Sequence, residues 1–311
     1  MIVSLPNTTV SQISKSMIQM REQGGAVALG SVLTLIIQTD SESAEASIEA
    51  ANAASREHPS RIIVLIDPVK NAPPKLDAEV RVGGDAGASE VIILRPFGEA
   101  ATHPQSLVMG LLLPDAPVVA WWPKAAPESV SDSAIGKIAA RRITDALAQN
   151  DPAGFLANLS KSYAPGDSDF SWTRLTLWRA QLAALLDQPP FEPIESVDIV
   201  GDLNNPSVLL LAAWLKVQLD CPVSTVHRED SAGVKGVYLV RFNRPGGDIE
   251  ILRDQSNIAT LTQTNHPPKE LSLPVRSLRD CLAEDLRRLD PDVAFEKVIT
   301  SGLPLVAAVQ E

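Results

Sequence analysis

Residues 114–123 read PDAPVVAWWP, a short apolar run fenced by prolines that closes on two adjacent tryptophans, Trp121 and Trp122. Pro117 suits the first position of a strand, and Pro123, with no N–H to give a ladder, ends one. Successive side chains of a strand point to opposite faces, so the two indoles cannot share one core. Either the strand is covered on both sides or one indole is offered to something else. One is expected to pack inward, and the other to reach a helix, a seam between lobes or a partner.

Working outward, the neighbouring segments alternate between strand and helix patterns. TTVSQISKSMIQMRE (8–22) spaces Val10, Ile13, Met17 and Met20 as a helix. AVALGSVLTLIIQT (26–39) and RIIVLID (61–67) are the near-continuous apolar runs of buried strands. Alanine-rich SESAEASIEAANAASREH (41–58) lies between them as a helix that ends before Pro59. LDAEVRV (76–82) and SEVIIL (89–94), joined by GGDAGA (83–88), read as a hairpin pair, and THPQSLVMGLLL (102–113) as a helix. A further helix is predicted over GKIAARRITDALA (136–148).

The second half repeats the alternation. FSWTRLTLWRAQLAALLD (170–187) is predicted as one helix capped by Asp169 or Ser171, and SVDIVGD (196–202) as a strand. PSVLLLAAWLKVQL (206–219) is a helix with proline at a welcome first position. Strands follow at 221–228, 236–243, 247–254 and 257–264, then helices at 277–289 and 292–300. The expected fold is α/β: two lobes, each a mixed sheet with packed helices, related by an old duplication. The boundary is placed in SYAPGDSD, giving an N-terminal domain over 1–163 and a C-terminal domain over 164–311.

Composition narrows the partners. A net charge of −11 argues against nucleic acid and anionic lipid. No run is long and apolar enough for a membrane helix. The N-terminus carries no basic region ahead of an apolar block, so a cytoplasmic location is expected. The two cysteines, Cys221 and Cys281, have neither CxxC nor histidine at ligand spacing, and they read as buried thiols, not a metal site.

Catalytic patterns are missing. GGAVALG (24–30) has the wrong spacing for a dinucleotide fingerprint, and GGDAGAS (83–89) leads into a strand instead of a helix. There is no GxxxxGK[ST], no GxSxG, and no pair of histidines at i, i+4. No cofactor and no metal are called. Three clusters stand out instead. Arg56, His58 and Arg61 crowd a helix end, where cations complement the macrodipole or, alternatively, gather a phosphate or carboxylate. Arg141 and Arg142 are adjacent. In SWTRLTLWRA (171–180), Trp172, Leu175 and Arg179 share one helical stripe, while Arg174 and Trp178 pair on another. Tryptophan and arginine are enriched at the centres of interfaces, yet tryptophan is also a common core filler.

EAANAASREHPSRIIVLI (49–66), GGDAGASEVIILR (83–95), LLLPDAPVVAWWP (111–123), RRITDAL (141–147) and PGDSDFSWTRLTLWRA (165–180) resemble the OpcA family of glucose-6-phosphate dehydrogenase assembly proteins. PSVLLLAAWL (206–215) and LAEDLRRLDPD (282–292) extend the likeness into the second half. The resemblance implies a non-catalytic protein that binds glucose-6-phosphate dehydrogenase as a hetero-oligomer and promotes its active form in the oxidative pentose phosphate pathway. It also implies binding or signature roles for Arg56, His58, Arg61, Trp121, Trp122, Arg141, Arg142, Trp172, Arg174, Trp178 and Arg179. The alternative reading is a sensor whose arginine groups hold a sugar phosphate or nucleotide as a small-molecule effector. An enzyme acting on a sugar phosphate lacks visible acid/base pairs.

Overall fold

Val118–Trp122 forms strand β6, buried along its whole length, with Trp121 and Trp122 exposed to only 0% and 1%. Both faces of the strand are therefore covered, as in parallel sheets with helices on either side. The structure, a computed structural model, describes residues 1–24, 30–82, 90–229, 234–255 and 257–307. The expected turn at 83–88 and residues 26–29 of the long apolar run lie outside the described residues.

Two compact units make up the chain. One comprises Met1–Ala148, Gly166–Ser168 and Leu278–Pro291, the other Gln149–Pro165, Asp169–Ser277 and Asp292–Glu311. In the first, an eight-stranded sheet is built from β1 (Ile2–Leu5), β2 (Leu33–Thr39), β3 (Ser60–Ile66), β4 (Lys75–Arg81), β5 (Glu90–Phe97), β6, β7 (Arg141–Thr144) and β8 (Asp167–Asp169). Their order across the sheet is β1-β4-β5-β3-β2-β6-β7-β8. The middle five, β5-β3-β2-β6-β7, are all parallel, and β4 pairs antiparallel with β1 and β5.

This order follows from the residues. LTLIIQT and SRIIVLI are rich in β-branched side chains and almost wholly buried, which suits the centre of a two-sided sheet. The unit also holds α1 (Val10–Gly24), α2 (Ala44–Ala54) and α3 (Pro104–Met109). Between β2 and β3, α2 buries Ile48 and the small residues Ala44, Ser47, Ala50, Ala51 and Ala54, which let it lie close to its neighbours.

One predicted helix is absent. Residues 136–148 form a short 3₁₀ turn, the strand β7 and a second 3₁₀ turn. Ile143 and Thr144 are stiff at χ1 and suit a strand, and β7 adds in parallel register to β6, with Arg141 opposite Val119 and Thr144 opposite Trp122. The two arginines hid this strand, because charged side chains are rarely buried unless paired.

In the second unit, α4 (Pro152–Ser162) is capped by Asp151, which accepts from the Gly154 N–H, and precedes α5 (Phe170–Thr173) and α6 (Thr176–Leu186). The single helix expected over 170–187 is thus two, separated where Leu175 N–H bonds back only three residues to Trp172. A six-stranded sheet follows: β9 (Ser196–Gly201), β10 (Val223–His227), β11 (Val237–Asn243), β12 (Ile249–Leu252), β13 (Ile258–Gln263) and β14 (His266–Ser272). Its order is β10-β9-β11-β12-β13-β14, with one parallel pair, β10–β9, and antiparallel pairs elsewhere. The two sheets are therefore connected differently. α7 (Pro206–Leu219), capped by Asn205, packs on β9 and β10. Sequence reasoning passed over β14 because of Pro267 and Pro268, which an edge strand tolerates.

Near the C-terminus, α8 (Leu278–Arg287) belongs to the first unit and packs against α2. α9 (Val293–Lys297), a π turn over Val298–Gly302 and α10 (Leu303–Ala307) belong to the second, and the π turn and α10 pack on α7. Among the described residues, no helix is long and apolar enough to cross a membrane.

Candidate functional site

A parallel sheet ordered like the first one presents a ligand crevice at the carboxyl ends of its strands, where the order reverses. Here the reversal lies between β2 and β6. A dinucleotide held there needs a glycine-rich turn and free amides at the next helix N-terminus. The turn after β2 is instead TDSES (39–43), without glycine. Asp40 Oδ1 already accepts the Ser43 N–H at 2.7 Å, just ahead of α2. That bond, with Lys124 Nζ 3.4 Å from the other oxygen, holds the Asp40 carboxyl below the usual carboxylate range.

Asp67, exposed just past β3, has its carboxyl pushed up by partial loss of hydration and by the Asp40 charge. Asp40 thus puts a carboxylate in the turn where a pyrophosphate would sit, and like charges repel. At the carboxyl end of β6, the Trp122 Nε1–H donates to Gln38 Oε1 at 3.2 Å. The residues present do not fit a dinucleotide.

The arginines are engaged internally. Arg61 is 8% exposed; it pairs with Glu90 at 3.1 Å and donates to the Leu111 carbonyl at 2.7 Å. Burial pulls its guanidinium pKa down. Burial pushes the Glu90 carboxyl up, but hydrogen bonds and charge from Arg21 and Arg61 outweigh it and hold Glu90 below the usual range. Arg56 stands exposed beyond α2, and His58 is half-buried with its Nε2 buried and unbonded among the described residues. Of this cluster, Arg61 is thus committed to Glu90 and Leu111, while Arg56 is left exposed.

Arg141 and Arg142, neighbours on a strand, point to opposite faces. Arg141 Nη2 bonds Asp285 Oδ1 at 2.5 Å and Ser168 Oγ at 3.1 Å, and its Nη1 bonds the Asp290 carbonyl at 3.2 Å. Ser168 Oγ in turn donates to Asp285 at 2.7 Å. Arg142 pairs with Asp167 and donates to the Ala139 carbonyl at 2.9 Å. Asp167, Ser168 and Asp285 complete these networks and escaped the sequence reading. Their only signal was a cluster of acids in PGDSD and LAEDLRR.

In the second unit, Trp172 is 2% exposed, and its Nε1–H donates to Asp292 Oδ2 at 2.9 Å. The Arg179 guanidinium lies 3.6 Å over the indole, so the stripe read from the sequence does bring these two together. Trp178 is buried with Arg253 5.5 Å above it, and half-buried Arg174 lies 5.9 Å over Phe170. Among the described residues, no group of three acid, histidine or cysteine side chains could hold a metal ion.

Two family models, both described as domains of a glucose-6-phosphate dehydrogenase subunit, cover most of the chain. The N-terminal domain model matches residues 51–161, and the C-terminal domain model matches 165–299. The chain belongs to the OpcA family. No curated protein matches it in sequence. Among solved structures, the OpcA-family chain is similar to levoglucosan dehydrogenase in complex with NADH and levoglucosan, at 9% identity and TM-score 0.47, covering 90% of this chain and 98% of that one. An oxidoreductase from Sinorhizobium meliloti matches at 11% identity and TM-score 0.44, covering 90% of each chain. An inositol dehydrogenase homolog from Azotobacter vinelandii matches at 9% and 0.35, covering 91% and 87%. Likenesses this distant say nothing of activity in the OpcA-family chain.

Proposed function

We propose that this OpcA-family chain is a non-catalytic subunit that binds glucose-6-phosphate dehydrogenase and favours its active form. The family match across both halves carries the reading. The glycine-free turn after β2, with Asp40 in it, supports it, since a dinucleotide would need that place for its pyrophosphate. Within each unit, the buried arginine and tryptophan networks suit a firm scaffold that acts by contact. Exposed Arg56 and half-buried His58, Arg174 and Arg179 are the signature residues that remain within reach of a partner.

Activation by contact requires tighter binding to the active arrangement than to the inactive one. A tenfold shift in that equilibrium needs about 1.4 kcal/mol of difference, a few well-placed contacts. Capture of the cognate dehydrogenase by the purified chain, with the enzyme's kinetics followed at increasing ratios, tests the reading. Binding with a rise in activity is expected. Neither binding nor a kinetic change rejects it.

A further inference from the structure

Among the described residues, the six-stranded sheet is core on one side only. Val197, Ile199, Phe242, Ile249, Ile251 and Ala259 face inward and are at most 1% exposed. Their alternates along the same strands are half-buried or exposed. On that open side the register lines up one apolar row across four strands. Val226, 52% exposed, stands opposite Val200, Val200 opposite Leu239, and Leu239 opposite Leu252. Beside it runs a charged row, with Asp198 opposite Arg241 and Arg241 opposite Glu250. Arg241 and Glu250 pair at 2.6 Å.

We propose that this open face pairs with a second copy of the chain. A contact between identical faces must be complementary to itself. For a chain of net charge −11, most surfaces repel their own copy. On this face Arg241 stands between Asp198 and Glu250, so a base of one copy can meet an acid of the other.

Its register also defines a docking arrangement. Consider a two-fold axis in the contact plane, parallel to the strands and running between β11 and β12. It lays β12 of one copy over β11 of the other. Leu239 and Leu252 are directly paired, as are Arg241 and Glu250, so each pair sits at one height along the strands. The axis therefore sets Leu239 on the partner subunit's Leu252 and Arg241 on the partner subunit's Glu250, and repeats both contacts by symmetry.

Six strands about 4.8 Å apart and roughly 17 Å long present about 400 Å² in projection, half of a standard interface. The dimer is accordingly expected to be reversible, with dissociation in the micromolar range.

Sedimentation velocity on the full chain alone, from low micromolar up to about 0.5 mM, tests this independently of the dehydrogenase. The wild type is expected to pass from monomer to dimer. Leu239→Glu, with unchanged circular dichroism and melting, should weaken dimerisation at least tenfold. Arg241→Glu should weaken it too, and the charge swap Arg241→Glu/Glu250→Arg should restore it, because the symmetry pairs these positions with each other. A monomer throughout the range overturns the proposal, as does a dimer that neither single variant disturbs. If the wild type stays monomeric while Leu239→Glu loses capture of the dehydrogenase, the face belongs to that enzyme and self-pairing is rejected.

Discussion

Arg141 and Asp285 lie 144 positions apart in sequence and meet at 2.5 Å, with 5% and 3% of their surfaces exposed. The pair joins a strand of the first sheet to a helix that arrives late in the chain, within one compact unit. Asp285→Ala leaves a buried guanidinium unpaired and should cost about 3–5 kcal/mol. Replacing both partners with apolar groups, Arg141→Met/Asp285→Leu, should recover most of that, since neither charge then needs compensation. Urea denaturation midpoints of the three proteins check it. Capture of the dehydrogenase by the double variant should match the wild type, because neither group reaches the surface.

Much of the first sheet was legible in the sequence, and the reason is specific. LTLIIQT, SRIIVLI and VVAWW are apolar on both faces, and only a covered parallel sheet accepts that pattern. β7 was not legible, because its arginines read as exposed helix residues until Asp167 and Asp285 arrive from distant segments. Burial at the candidate site is hidden from the sequence for the same reason. Trp121 and Arg142 look in sequence like contact residues, whereas burial is a property of what folds around them. The turn after β2 was legible too, since TDSES has no glycine where a dinucleotide fingerprint needs several.

Trp122 should behave as a core residue. Trp122→Ala removes a fully buried indole and should cost about 3–5 kcal/mol. Trp122→Phe keeps most of the volume and loses the bond to Gln38, so it should cost only about 1 kcal/mol. If Trp122 also touched the dehydrogenase, the phenylalanine variant would lose capture out of proportion to its stability. Equal capture by wild type and Trp122→Phe is expected.

The ion cluster around Glu90 sets a pH dependence. Its folded pKa lies below the ordinary glutamate value of about 4.3. The stability it contributes is therefore fully present above that value and is lost as pH falls through the lower folded pKa. Glu90→Gln cannot titrate. Its stability should change less than that of the wild type between neutral pH and about pH 3, as read from denaturant midpoints at each pH.

The glycine-free turn holding Asp40 makes a simple prediction for ligands. NADP⁺ or NADPH at about 1 mM should leave the melting temperature of the purified chain unchanged, because only a ligand held by the native state raises it. A dose-dependent rise would mean that Asp40 moves aside from Ser43, and Asp40→Ala would then enlarge it.

Gly166 tests how tightly the arginine networks are tied to backbone geometry. It has φ +97°, and a Cβ there would lie 2.4 Å from the Ala140 carbonyl oxygen. Its own carbonyl accepts the Arg142 N–H at 2.9 Å, so the turn is fastened to β7. Gly166→Ala should cost about 1–3 kcal/mol from backbone strain alone. The displacement would also carry Asp167 away from Arg142 and Ser168 away from Arg141. Residues of one network do not contribute independently. Gly166→Ala combined with Asp285→Ala should therefore cost less than the sum of the two single changes, whereas Gly166→Ala with Glu90→Gln, which share no partner, should be additive within about 0.5 kcal/mol.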